Sequence, residues 1–274
     1  MKLLDGKELA GYIQERQARQ VRALRQAARI FPRLAIVQTL DDPVINSYIR
    51  LKRRYAEETL VELEHHLVPQ SEAEAVIRRL NDDDAVHGII IQLPLTDPAD
   101  TERFINLVAP HKDIDGLGAA TEFTPATAMA INWLLAGYNI ALERKQLLIV
   151  GRGKLVGGPL ERLWQQSGLS PVVVDDQTPE ADFLQQVRGA EVIVTATGTA
   201  GLITSQMLSP GTVVVDAGVA SEAGRLVGDV ASDVRLRDDL IITPEKGGVG
   251  PLTVCALFDN VIQAARRVAD AAGQ

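Results

Sequence analysis

At 274 residues, with 46% apolar and 23% charged side chains, the chain is long enough for two compact domains that fold without covalent staples. Its 36 acidic residues against 28 Lys and Arg give a net charge of −8, which argues against general nucleic-acid binding while allowing local basic clusters to hold a small anion. The single cysteine, Cys255, excludes an intramolecular disulfide and a cysteine-based zinc cluster, and His65, His66, His87 and His111 lack helical ligand spacing, so no metal site is expected.

Met1–Leu4 is interrupted at once by Asp5, unlike a secretory signal, and no stretch reaches membrane-spanning length. The expectation is a cytosolic protein with no membrane partner. Leu9, Ile13, Val21 and Leu24 among Arg, Gln and Glu predict an amphipathic helix over 7–29, ending before Pro32. Residues 34–37 form a short buried strand, and Asp41-Asp42-Pro43 turns the chain into a second helix carrying Tyr48 and Lys52. Residues 59–67 alternate as a strand, Ser71 caps a helix over 72–80, and the apolar run 87–91 is a buried strand ending at Gln92. This β-α-β-α-β order specifies a parallel sheet covered by helices.

A connecting helix over 127–136 stops at Gly137, and the domain boundary falls between 116 and 146. The second half restarts the rhythm, with a strand at 146–150, a glycine-rich turn at 151–159 and a helix at 160–166. Further strands follow at 171–174, 191–195, 212–216 and 240–242. The fold class is therefore α/β with two domains: an N-terminal α/β domain over 1–120 and a doubly wound Rossmann-type domain over 121–251. A helix over 252–274 is expected to pack back on the first.

Tyr48 and Lys52, four residues apart, share one helix face and can act on one bound molecule. Alone, such a pair reads as an exposed basic face. The positive neighbours Arg50, Arg53 and Arg54 disfavour the ammonium form of Lys52, so its amine can exchange protons near neutral pH. Gln92 sits where active-site residues of open α/β sheets gather. Asp113 and Asp115 lie in a glycine-containing turn after Pro110, for which ordinary turn chemistry is the simpler account.

Gly151, Gly153 and Gly157 lie between a strand and a helix, where a glycine turn lets backbone amides approach a pyrophosphate. Their spacing is one residue longer than the usual dinucleotide fingerprint, but it opens a βαβ unit as required. Asp175 and Asp176, 24 and 25 residues after Gly151, suit a ribose 2′-hydroxyl, whereas Arg152 suits a 2′-phosphate. Two carboxylates against one guanidinium favour NAD over NADP, with both left open.

Taken in order, these residues resemble the bifunctional methylenetetrahydrofolate dehydrogenase/methenyltetrahydrofolate cyclohydrolase family. The likeness spans nearly the whole chain: Leu4-Asp5-Gly6-Lys7, Asp42-Pro43, Tyr48, Lys52, the Gln-Leu-Pro-Leu of 92–95 and the Lys-Asp-Ile-Asp-Gly of 112–116. It continues through Gly-Arg-Gly-Lys-Leu-Val-Gly at 151–157, Asp216-Ala217-Gly218-Val219, Gly228-Asp229-Val230 and the long string Thr243 to Thr253.

The resemblance implies two steps on one substrate. Hydride passes from 5,10-methylenetetrahydrofolate to a nicotinamide, and water opens the methenyl product to 10-formyltetrahydrofolate. It implies Lys52 as the proton-transfer residue, Gln92 as its hydrogen-bond partner, Tyr48 stacked on the folate and Asp115 on the pterin edge, with Leu93, Gly248 and Pro251 also on the substrate. It adds Val156, Thr197, Gly198 and Val219 to the cofactor side, and it implies a homodimer in one-carbon metabolism and purine biosynthesis.

Departures from the family pattern gather on the cofactor side. The usual serine is Gly153, the usual Val-Pro is Glu245-Lys246, and Asp175-Asp176-Gln177-Thr178 replaces a His-Ser-Arg/Lys-Thr stretch. Arg54 stands for a lysine, and Glu122-Phe123-Thr124-Pro125-Ala126-Thr127 for a Pro-Cys-Thr-Pro-x-Gly stretch. A cyclohydrolase without dehydrogenase activity, or a non-catalytic folate or nucleotide sensor, are the alternative readings. Another two-domain Rossmann dehydrogenase of the shikimate type would not explain Gln92, Asp115 and the 247–253 string together.

Overall fold

The computed structural model describes residues 2–222, 225–271 and 273. The first half runs β1 (Lys2–Leu3), α1 (Gly6–Ala23), β2 (Arg33–Gln38), α2 (Pro43–Thr59), β3 (Glu62–Leu67), α3 (Gln70–Asp82), β4 (Gly88–Gln92) and α4 (Thr101–Ile105). Then come α5 (Ala126–Gly137), β5 (Leu147–Val150), α6 (Gly157–Gln166), β6 (Val172–Val174), α7 (Glu180–Gly189), β7 (Val192–Thr195) and β8 (Val213–Asp216). The last elements are β9 (Ala220–Glu222), β10 (Arg225–Val227), β11 (Ile241–Ile242) and α8 (Val249–Ala271). Two compact units result, one of residues 11–126 with 254–274, the other of residues 1–10 with 127–253.

The unit of 11–126 and 254–274 holds a three-stranded parallel sheet in the order β3-β2-β4. β2 is central, and its Leu34-Ala35-Ile36-Val37 run is fully buried, which is why it is apolar without alternation. β3 is an edge strand, half-buried along most of its length, and carries the alternating Glu-Leu-Glu-His pattern of one wet face. The core beneath α3 joins Val37, Ile77, Ile89 and Phe104. The strand expected from residue 59 begins later, because α2 continues to Thr59 and ends in a left-handed Leu60 with φ of 63°. Ser71 does not cap α3: it lies within the helix, whose N-cap is Pro69 and supplies no side-chain bond.

In the unit of 1–10 and 127–253 a six-stranded parallel sheet runs β1-β11-β8-β7-β5-β6. Its core packs Val150, Ile193, Val214 and Ile242. From β5 the chain goes to β6 on one side and then returns to β7 on the other, so the order reverses at the C-terminal end of β5, where open sheets bind ligands. β9 and β10 form a separate antiparallel pair. Among the described residues no helix is long and apolar enough to cross a membrane, and no group of three His, Cys, Asp or Glu could hold a metal ion.

Candidate active site

α2 is started by Asp42, whose carboxylate accepts the Val44 and Ile45 amides at 2.8 and 3.1 Å, with Pro43 at its first position. Its buried residues include Ile45, Ile49, Ala56 and Thr59, and Lys52 falls in that same sequence of four-and-three steps. The lysine therefore enters the protein along the packing stripe. Its Nζ donates to Gln92 Oε1 at 2.7 Å. Gln92 is 8% exposed, ends β4, and donates its own Nε2 to the Leu93 carbonyl at 2.9 Å, just before the cis Leu93–Pro94 bond.

Burial pushes the Lys52 amine below the usual lysine range, and the Asp115 carboxylate opposes that shift. The expected cause, the charges of Arg50, Arg53 and Arg54, is thereby corrected: those side chains are exposed and screened, and desolvation dominates. Asp115 is itself raised to about 6 by burial, with Lys52 pulling it down and Asp113 pushing it up. Lys52, Gln92 and Asp115 thus form one electrostatic cluster. Tyr48 stands one turn before Lys52, 39% exposed, and takes no part in these hydrogen bonds.

The turn carrying Asp115 is held from both ends. Lys112, almost fully buried, donates to the carbonyls of Leu80, Asn81 and Asp83 at 3.0, 2.7 and 2.7 Å, closing the C-terminal end of α3. Asn260 of α8 donates to the carbonyls of Ile114 and Thr124 at 2.8 and 3.1 Å. Asp113 does ordinary turn work, accepting the Gly118 amide at 2.8 Å. The two aspartates therefore divide: one builds the turn and the other faces the lysine.

Sequence reading missed a second amide at this sheet edge. Gln38 ends β2 in register with Gln92, donates to the Leu40 carbonyl at 2.6 Å and Asn46 at 2.9 Å, and meets His65 Nε2 at 2.7 Å. The signal was the same as for Gln92, a glutamine closing an apolar run.

In the other unit, Gly151 follows β5 with φ of 99°, and an added Cβ would lie 2.7 Å from the Ala196 carbonyl. A Cβ on Gly157 would lie 1.8 Å from the Gly151 carbonyl, so the start of α6 packs directly on the turn. Gly153 has no such need, since its Cβ would meet nothing nearer than 3.9 Å. Val156 precedes α6 and supplies no side-chain cap; the Gly158 amide already donates to the Gly153 carbonyl at 3.0 Å and residue 159 is a proline, so the first turn offers an anion the Gly157 amide and not a full set of amides. This close-packed glycine cradle fits a dinucleotide pyrophosphate.

Arg152 Nε lies 3.6 Å from Glu161 on α6, a pairing invisible in sequence order. Asp175 closes its own turn, accepting the Gln177 amide at 3.1 Å, while Asp176 is exposed. Thr197 and Gly198 follow β7, Gly198 with φ of 69°, and Val219, after β8, is 62% exposed. Gly248 immediately precedes α8, and Pro251 lies in its first turn. A Cβ on Gly6 would fall 1.8 Å from the Gly248 carbonyl, which accounts for glycine in the Leu-Asp-Gly-Lys motif.

Residues 4–115 match the family described as tetrahydrofolate dehydrogenase/cyclohydrolase, catalytic domain, and residues 125–269 match its NAD(P)-binding domain. The bifunctional protein FolD of Lactobacillus helveticus is 36% identical over 98% of this chain and 99% of its own. The crystal structure of the FolD methylenetetrahydrofolate dehydrogenase/cyclohydrolase of Campylobacter jejuni is similar with a TM-score of 0.90 at 32% identity, covering 98% of this chain and 99% of that one. The Trypanosoma brucei methylenetetrahydrofolate dehydrogenase-cyclohydrolase, solved with NADP and an inhibitor, gives a TM-score of 0.90 at 30% identity over 97% of each chain.

Proposed function

The chain belongs to the tetrahydrofolate dehydrogenase/cyclohydrolase family, and we propose that it performs both conversions, with Lys52, Gln92, Asp115 and Tyr48 handling the folate and the glycine cradle at 151–157 the dinucleotide. The substrate is 5,10-methylenetetrahydrofolate, oxidised to the methenyl form with NAD(P)+ and then hydrolysed to 10-formyltetrahydrofolate. The observation that carries this reading is the bond from Lys52 Nζ to Gln92 Oε1, 2.7 Å long, in a buried setting shared with Asp115.

A lysine whose amine is lowered by desolvation has a neutral fraction with a free lone pair. Gln92 accepts one of its N–H bonds and so aims that lone pair. The amine takes a proton from water as its oxygen bonds to the one-carbon unit, and returns a proton to the pterin nitrogen released when the carbon–nitrogen bond breaks. Asp115, ionised above about pH 6, accepts pterin N–H donors. Tyr48, exposed at the rim, offers a ring for stacking. Leu93, Gly248 and Pro251 belong to the same substrate assignment. When bound, the dinucleotide supplies the hydride acceptor, and the chain contributes position and electrostatics.

NAD is read as the preferred dinucleotide. Asp176 is exposed beyond β6 and would repel a 2′-phosphate, while Arg152, the group that would attract one, has Glu161 within 3.6 Å. A homodimer is part of the reading as the family resemblance implies it, and β3, paired on one side only, leaves a strand edge open for it. Replacing Lys52→Met tests the central assignment by loss of methenyltetrahydrofolate absorbance. Hydrolysis at the wild-type rate would remove Lys52 from the chemistry. Reduction of NAD and NADP at equal concentrations tests the cofactor assignment.

A further inference from the structure

Two buried aspartates in the unit of 1–10 and 127–253 are left without a role by the reactions above. Asp229 is fully buried, and its Oδ2 accepts the Thr197 amide at 2.7 Å. Its own backbone amide donates to Asp216 Oδ1 at 3.0 Å. Asp216 ends β8, and the same oxygen accepts the Gly218 amide at 3.2 Å and the Thr195 hydroxyl at 3.3 Å. Its Oδ2 accepts the Val230 amide at 3.3 Å and Arg235 Nη2 at 3.3 Å, while Arg235 Nη1 reaches the Thr243 carbonyl at 2.8 Å. The pair ties together the chain after β7, after β8, after β10 and after β11, all at the C-terminal edge of one parallel sheet.

Packing is built to admit these carboxylates. A Cβ on Gly218 would fall 2.0 Å from the Asp229 carboxylate, and one on Gly228 would fall 2.0 Å from that of Asp216. Stability alone does not account for the arrangement. Asp229 Oδ1 is buried with no hydrogen-bond partner, and two acids share one interior, where an apolar pair of similar volume costs less. Buried groups that cost free energy yet fix several loops are characteristic of sites held ready for a ligand.

We propose that Asp229 is a positioning residue for dinucleotide binding: with Asp216 it holds the loops bearing Thr197, Gly198 and Val219 in the shape the cofactor meets. This inference rests on the assignment of those loops to the dinucleotide. Loss of the acceptor frees the Thr197 amide and the loop after β7, so a cofactor must then order that loop on binding. Hydrolysis needs no dinucleotide, and the residues assigned to its proton transfer lie in the other compact unit.

Asp229→Ala is therefore expected to raise the KM for NAD about tenfold, with kcat at saturation and methenyl hydrolysis each within about threefold of wild type. Asp229→Asn keeps an acceptor oxygen for Thr197 and should return the KM to within about threefold. A fall in hydrolysis equal to the fall in NAD reduction would mean that Asp229 serves folding only, and the proposal would fail. If Asp229→Ala leaves the KM unchanged while Gly157→Ala abolishes NAD binding, the positioning role fails and the glycine cradle stands. If neither variant changes NAD binding, the dinucleotide assignment itself is wrong. Should Asp229→Ala not fold, amide exchange in the wild-type protein without NAD decides. The Thr197 amide should exchange at least about a hundredfold slower than in an unstructured peptide, and exchange at the free rate would overturn the proposal.

Discussion

Asp115→Asn is expected to make the protein more stable while depriving it of folate. Burial lifts the Asp115 carboxyl from 3.8 to about 6, even with Lys52 attracting its charge. Folding therefore favours the neutral carboxyl, and ionisation in the native state costs about 3 kcal/mol relative to the unfolded chain, at 1.36 kcal/mol for each pKa unit. The sign follows from the raised value. Below 3.8 both states are neutral and nothing is lost; the cost grows as pH rises toward 6 and is complete above about 7. Asparagine keeps the shape without the charge. Urea unfolding followed by tryptophan fluorescence should show the variant more stable by about 3 kcal/mol at pH 8, by about half that at pH 5, and nearly equal at pH 4. Its KM for methylenetetrahydrofolate should rise sharply, as should that of the wild type below about pH 6. Equal stability at pH 8, or a gain independent of pH, would refute the idea that this carboxylate is held charged against its surroundings.

Other substitutions probe the remaining parts of the site. Gly157→Ala, whose Cβ would meet the Gly151 carbonyl at 1.8 Å, should eliminate NAD reduction and spare hydrolysis, measured on one preparation. Gly153→Ser, with 3.9 Å of clearance, should change stability by less than about 0.5 kcal/mol and lower the KM for the dinucleotide by adding a hydroxyl beside the phosphates. Asp176→Ser should raise kcat/KM for NADP relative to NAD about tenfold, and an unchanged ratio would remove Asp176 from cofactor choice. Lys112→Met leaves three carbonyls at the end of α3 without their donor and should cost about 2–4 kcal/mol in urea unfolding, with folate KM rising before kcat falls.

The buried strands were legible because a parallel strand covered on both faces must be a continuous apolar run, and β2, β4, β5, β7 and β8 all are. β1 has two residues, and β9 and β10 three each, too few for any period to show. The end of α2 was misplaced because Leu60, not glycine or asparagine, takes the left-handed cap. Ser71 fitted a cap by type but is already the second residue of a helix that begins at Gln70. Lys52 and Gln92 could be matched in advance, yet the cause of the amine's tuning could not, since desolvation depends on what covers α2 and not on sequence neighbours. Pairings such as Arg152 with Glu161, or Asp229 with the Thr197 amide, join residues that chain order separates and exist only once the strands are assembled.

Lys52 occupies a slot between Ile49 and Ala56 that the geometry of α2 reserves for a greasy side chain. A leucine or methionine there would complete an unbroken seam, so the same shape could be had without any group able to move a proton, and the amine is carried against the packing around it.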